Sequence, residues 1–175
     1  MAFHSFFRTL ALVGLGVWLS ACNSGVQAQA KTVPELQDLQ TLAQKAEAKN
    51  LPIMITVGAE WCDFCYVLKK NVLDPMMLGG DYEGKKLYMR YLSLEDDTPI
   101  PGIAGERMVK RDWAEKHKAD LTPTVIFIDS YGREVADKIV GISALELYMG
   151  LIHQRLNQAY RNLGNPKRVD SMPTP

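Results

Sequence analysis

Apolar residues recur along this chain in two rhythms, and their alternation lays out the elements. From Pro34 to Lys49, Leu36, Leu39, Leu42 (or Ala43) and Ala46 return at three- and four-residue steps among Glu, Gln, Asp and Lys, which predicts a helix. It ends at Asn50-Leu51-Pro52, because the position before a proline avoids helical geometry. Ile53 to Val57 is a near-continuous apolar run, the pattern of a strand covered on both faces. Cys62 to Leu73 resumes helical spacing through Phe64, Val67, Leu68 and Val72; Asp74-Pro75 marks a break or kink and Gly79-Gly80-Asp81 a loop. Leu87 to Leu94 reads as a second strand, Glu95 to Gly105 as an exposed loop, and Gly105 to Lys118 as a polar helix. Thr124 to Asp129 is a third strand, Ser130-Tyr131-Gly132 a turn, and Arg133 to Val140 its hairpin partner. Ser143 and Glu146 match a capping box, opening a helix that buries Leu145, Tyr148, Ile152, Leu156 and Leu163.

The order is helix, strand, helix, strand, helix, strand, strand, helix. A strand–helix–strand crossover followed by a hairpin predicts an α/β fold with a mixed four-stranded central sheet flanked by helices on both faces.

The ends read differently. Arg8 precedes an apolar run from Leu10 to Trp18, too short for the ~18 apolar residues of a spanning helix, so 1–21 is expected to be an export signal. Leu19-Ser20-Ala21-Cys22 resembles the lipobox of bacterial lipoproteins, which implies lipidation of Cys22; cleavage after Ala28-Gln29-Ala30 is the alternative. Residues 22–32 then form a tether, 33–163 the folded domain, and 164–175, with three prolines, a disordered tail. The expected location is the periplasm, lipid-anchored. Asn23 is not the aspartate that holds many lipoproteins at the inner membrane, so the inner face of the outer membrane is the expected site. Removing the signal takes away Arg8 and no acid, leaving the charge near balance and no electrostatic case for nucleic acid.

Three cysteines remain to be placed. If Cys22 carries lipid, Cys62 and Cys65 stand alone as a pair. Two thiols at that spacing can close on each other, and after a buried strand they fall at a helix start, where backbone N–H groups and the helix dipole stabilise a thiolate. Half a zinc site is the competing reading, but zinc needs four ligands, and His117 and His153 are far apart in sequence and most simply solvated helix residues. No metal and no cofactor beyond the cysteine pair is expected. Trp113 reads as core or a semi-exposed anchor.

The element order, Ala59-Glu60-Trp61-Cys62-x-x-Cys65 and Thr122-Pro123-Thr124 before a strand together resemble the thioredoxin-fold thiol:disulfide oxidoreductases. Trp61 through Val72-Leu73-Asp74-Pro75 looks most like the periplasmic thioredoxin-like reductases, including the C-terminal domain of DsbD. The resemblance implies that Cys62 is the exposed nucleophile and Cys65 the more buried resolving thiol. It implies that Trp61 packs beside the disulfide and shields it, with Asp63 and Phe64 between the cysteines. It also implies a cis Pro123 against the disulfide, exposing the backbone of Thr122 to pair with a substrate segment; a proline that merely starts a strand is the plainer reading. Thr122 carries a hydroxyl as disulfide isomerases do, although no dimerisation domain fits in residues 22–33 and a monomer is expected. Two departures stand out. Thr56 occupies the place of thioredoxin's buried acid, so proton handling must differ, and Asp63 sits where strong oxidases carry histidine. A carboxylate there disfavours the thiolate, which implies a reducing pair.

The implied activity is reduction or reshuffling of disulfides in envelope proteins, with a membrane thiol reductase of the DsbD type as electron donor. The alternatives are a disulfide-forming oxidant, or a non-catalytic factor delivering copper through the two thiolates.

Overall fold

The computed structural model of the chain describes residues 32–170. The signal, the lipidation of Cys22 and all but the last residue of the tether fall outside the described residues, as does 171–175. In chain order the elements are α1 (Leu39–Lys49), β1 (Ile53–Gly58), α2 (Asp63–Leu68), α3 (Asp74–Leu78), β2 (Tyr88–Ser93), β3 (Ile100–Pro101), β4 (Arg107–Met108), α4 (Lys110–Lys116), β5 (Thr124–Ile128), β6 (Ile139–Val140) and α5 (Tyr148–Asn162).

β1 is buried along its whole length because it lies inside the sheet, whose order is β2-β1-β5-β6. It pairs in parallel with β2 and antiparallel with β5, and β6 closes the far side antiparallel to β5. Successive strand side chains point to opposite faces, so the complete burial of β1 and β5 requires cover on both faces. Leu39 and Leu42 of α1, Leu68 and Leu73 after the cysteines, and Tyr148, Ile152 and Leu156 of α5 supply it as parts of one core. No helix of the described residues is long and apolar enough to cross a membrane.

Several boundaries differ from the sequence reading. The first helix starts at Leu39, not Pro34: the Asp38 carboxylate accepts from the Thr41 N–H and hydroxyl at 2.7 Å each, an N-cap. Residues 33–36 instead run beside β2, with Leu36 N–H donating to the Tyr91 carbonyl at 2.7 Å and Tyr91 N–H to that of Pro34 at 2.9 Å. That covers an otherwise open edge. The helix after the cysteines does not break at Asp74-Pro75. A π-helical turn over Lys69–Leu73 widens the ladder so that Asp74 N–H reaches the Lys69 carbonyl, and the axis carries on through Pro75, which has no N–H to give.

The loop expected over Glu95–Gly105 holds the small β3–β4 hairpin, tucking Ile100 and Met108 into the core; the next helix therefore begins only at Lys110. Only Ile139 and Val140 of the expected Arg133–Val140 strand form a ladder. The last helix has no capping box: Ala144 is its first cap, a 3-10 turn over Leu145–Leu147 leads in, and Leu145 and Leu163 are only half-buried.

Residues 164–170, expected to be disordered, are tied to the domain by hydrogen bonds, with Asn165 and Val169 buried. Asn157 exchanges two hydrogen bonds with the backbone of Val169 (2.8 and 2.9 Å), and Asn165 donates to the Asn50 carbonyl. Amide side chains hold this segment, so its apolar content gave no warning. The two histidines are not free in solvent either. His117 is buried against the Trp113 ring at 4.1 Å with Nδ1 2.9 Å from Glu134 Oε1. In His153, Nδ1 donates to the Asp170 carbonyl at 2.6 Å, leaving Nε2 to accept from the Tyr82 hydroxyl at 2.7 Å.

Lys110 is fully buried, its ammonium bonded to Glu35 Oε1 at 2.8 Å and Asp96 Oδ2 at 2.5 Å. Burial alone would pull this group down, but the bonds from Asp96 and Glu35 hold it above its ordinary value. The Lys110 hydrogen bond, with help from Thr98, lowers the Asp96 carboxyl to about 2. Unfolded, Asp96 titrates near ~3.9. The stability it contributes is therefore present above about pH 4 and lost as pH falls through about 2. In acid titrations of stability followed by urea unfolding, Asp96→Asn should be less stable than the parent at pH 6 and should lose less between pH 4 and 2. Parallel curves for the two proteins would contradict this.

Gly58 closes β1, and a Cβ built there falls on the Tyr91 hydroxyl oxygen, whose ring crosses over this position. Gly58→Ala should cost about 1–3 kcal/mol of stability by overpacking. Adding Tyr91→Ala should make the alanine's further cost nearly vanish in a double-mutant cycle, whereas two strictly additive effects would show that the contact is unimportant.

Candidate active site

At the end of β1 the chain leaves the sheet through Ala59, turns at Glu60-Trp61, and enters α2 with Cys62 as N-cap. Cys62 N–H donates to the Ala59 carbonyl at 3.3 Å, fixing the turn. Cys62 and Cys65 are joined as a disulfide with their Cα atoms 5.2 Å apart. Cys62 Sγ accepts from the Cys65 N–H at 3.1 Å, so this sulfur occupies the place of the helix-capping oxygen. A negative charge on Cys62 would face the free N–H groups and positive end of the helix.

The resemblance implied an exposed Cys62. In the disulfide it is 6% exposed and Cys65 2%, so the order is kept but both are covered, grouped with Ala59 in a small apolar cluster. Capping turns the Cys62 sulfur inward over the helix end. Trp61, expected to shield the disulfide, stands 76% exposed in the turn. Phe64 is 64% exposed, and Asp63, the first residue of α2, faces solvent. Trp113 is buried in the main core, away from this cluster.

The sheet register supplies the second half of the site. Val57 opposes Thr124, which sets Pro123 opposite Gly58 at the sheet end from which the cysteine turn departs. The Thr122–Pro123 peptide bond is cis. Pro123 is buried with its carbonyl accepting from Gly141 N–H at 2.8 Å, Thr122 is half-buried, and Leu121 is exposed. The structure thus gathers Trp61, Cys62, Asp63, Phe64 and Cys65 with Thr122 and Pro123 at one end of the sheet, although the two segments are far apart in sequence. Cys22 lies outside the described residues.

Thr56 is buried within β1, and its hydroxyl oxygen has no hydrogen-bond partner among the described residues. A hydroxyl, not a carboxylate, is what this chain provides there. Tyr91 was not singled out from the sequence. Its phenol is raised to about 12 by burial and then by the charges of Glu35, Glu95 and Glu60, and the Lys69 ammonium lies 5.0 Å from its ring. A glycine ending an apolar strand signals such a close approach, but not which side chain makes it. Among the described residues no group of three or more His, Cys, Asp or Glu side chains is placed to hold a metal ion.

A family model of the thioredoxin-like domain matches residues 39–156. Among solved structures, the DsbH oxidoreductase aligns at 15% identity with a TM-score of 0.53, covering 74% of this chain and 90% of that one. Thioredoxin O2 of Arabidopsis thaliana in its oxidized state aligns at 17% identity with a TM-score of 0.46, covering 71% and 94%. A search of curated proteins returned no match. The elements, the cysteine turn and the matched span converge, and the chain belongs to the thioredoxin-like domain family.

Proposed function

We propose that this protein is an exported, lipid-anchored thiol:disulfide oxidoreductase that reduces or reshuffles disulfides in envelope proteins. One observation carries the reading: the Cys62–Cys65 disulfide caps a helix at the sheet end where Pro123 lies. In the reduced protein the Cys62 thiolate attacks one sulfur of a client disulfide. A Cys62–client S–S bond forms, the client S–S bond breaks, and the departing client sulfur takes a proton. Cys65, held one helical turn away, then attacks Cys62 Sγ and displaces the second client sulfur. Two electrons have moved to the client, leaving two client thiols and the Cys62–Cys65 disulfide.

The other site residues take supporting roles. Thr122 presents backbone beside Pro123 for an extended client segment to pair with. Trp61 and Phe64 offer apolar contact. Asp63 places a negative charge beside Cys62 and opposes the helix end in stabilising its thiolate. Less stabilisation of the reduced form makes the pair more reducing. Because the periplasm is kept oxidising, turnover needs an electron source, and a membrane thiol reductase of the DsbD type meets that need. Lipidation of Cys22 would hold the domain near a membrane.

Catalysed insulin reduction by dithiothreitol tests the activity directly. Cys62→Ser should reduce the rate to the uncatalysed background; an unchanged rate would favour a non-catalytic, metal-delivering role. Equilibration with glutathione tests the direction, with a potential expected nearer ~ −270 mV than ~ −120 mV. Asp63→Asn should raise it by roughly 10–20 mV, the equivalent of removing about 0.5–1 kcal/mol of repulsion. No movement, or a fall, would show that the carboxylate does not act on the thiolate.

A further inference from the structure

The side chains around the disulfide present a surface whose chemistry is more specific than apolar exposure. Trp61 is 76% exposed, Phe64 64% and Leu121 65%, drawn from the cysteine turn and from the loop before Pro123. Large apolar side chains gathered at one exposed place mark an interaction surface. Carboxylates stand among them. Glu60 and Asp63 flank Trp61-Cys62 and are exposed. Glu95 comes to the same end of the sheet from the other side, because Leu94 N–H donates to the Gly58 carbonyl at 3.0 Å. Glu60 and Glu95 are near enough to each other's territory to act on one group, the Tyr91 phenol over Gly58.

Nearby cations cancel only part of this charge. Arg111 is taken by Asp97 at 3.5 Å and by the Leu94 carbonyl; Lys69, over the neutral Tyr91 ring, keeps its charge and offsets one of the three carboxylates. Lys118 and Asp120, both exposed before Leu121, offset one another. Among the described residues, Glu60, Asp63 and Glu95 take part in no ion pair, and Glu95 accepts only from the Ser93 hydroxyl at 2.8 Å. The chain as a whole carries equal numbers of Lys+Arg and Asp+Glu, so the negative sign is local to this site.

We propose that this surface selects disulfide-bearing polypeptide segments rich in lysine and arginine. The inference rests on the oxidoreductase reading and names its substrate class. Two independent features favour the same partner. Carboxylates attract cationic side chains and raise the encounter rate. The exposed faces of Trp61 and Phe64 bind ammonium and guanidinium groups through the ring quadrupole. An anionic bilayer would seat its apolar phase against the same aromatics but is repelled by the carboxylates.

Reduced protein is mixed in stopped flow with two peptides of identical core, each closed by one disulfide, flanked by lysines in one and glutamates in the other. The neutral compound bis(2-hydroxyethyl) disulfide is the third substrate. At about 20 mM salt the lysine peptide should be reduced at least about tenfold faster than the glutamate peptide. The ratio should fall to within about twofold at about 0.5 M salt, where charges are screened. It should collapse likewise in Glu60→Gln/Glu95→Gln and persist in the remote Glu47→Gln/Asp81→Asn, whose residues lie toward the opposite end of the sheet, where β1 and β2 begin. Equal rates for the two peptides at low salt, or loss of the ratio in the remote variant alone, overturn the proposal while the neutral disulfide still reports a working enzyme. Failure with the neutral disulfide as well overturns the oxidoreductase reading itself. A blue shift of tryptophan emission with phosphatidylglycerol vesicles but none with the lysine peptide assigns the surface to lipid and also overturns it.

Discussion

The full burial of β1 is the constraint from which the rest of the molecule follows. An apolar strand has to be paired on both edges and covered on both faces, since any unpaired N–H or carbonyl inside would carry a desolvation cost of about 1–3 kcal/mol. β2 and β5 satisfy the edges, α1, α5 and the helix after the cysteines help satisfy the faces, and the strand's only way out is through its ends. Its C-terminal end is where the chain turns into Cys62. A residue emerging from a rigid, doubly paired strand is positioned more tightly than one on a free loop, which is what a reaction between two sulfurs at fixed separation requires.

That same constraint explains what could be read from the sequence. Ile53 to Val57 and Thr124 to Ile128 have unmistakable strand patterns, and the cysteine pair between β1 and a helical stretch located half the site. Pro123 could be placed beside it only through the resemblance, because register between distant strands leaves no local trace. Several of the misreadings share one source: polar groups that act in tertiary structure look like loop or solvent in a linear pattern. Lys110 resembles any helical lysine until Glu35 and Asp96 arrive from elements far away in sequence. His117, His153 and Asn165 were hidden in the same way, since each is held by one or two specific hydrogen bonds and not by apolar periodicity. The continuation through Pro75 depends on a π turn, for which no composition rule exists.

The Lys110 cluster connects fold and site. Glu35 accepts from both the Lys110 ammonium and the Ser93 N–H, so it ties the edge segment and α4 to the end of β2. Asp96, the other partner of Lys110, sits two residues beyond Leu94, whose N–H is bonded to Gly58. A fully buried ammonium with two carboxylates is a costly way to gain stability compared with an apolar core, but it is selective about geometry. Its effect is to fix where the acidic loop passes the cysteine turn. The charge beside the disulfide is therefore placed by structure and does not drift with a mobile loop.

A covered disulfide beside exposed apolar side chains looks contradictory under the proposed exchange, which must bring sulfurs into contact. Cys62 and Cys65 are shielded in the closed form, yet Trp61, Phe64 and Leu121 stand in water, where each forgoes the burial that would stabilise it. The arrangement is consistent if the reduced dithiol is the reactive form and the disulfide the spent one. Bonded to Cys65 and capping the helix, the Cys62 sulfur is covered; freed by reduction and ionised, it faces the N–H groups of the helix end and, under the proposed exchange, a client. Under the proposed exchange, apolar contacts from the exposed side chains act only when a client is present, so they stabilise its complexes and not the resting protein. Such contacts speed the exchange only to the extent that they are stronger in its transition state than with bound client or product.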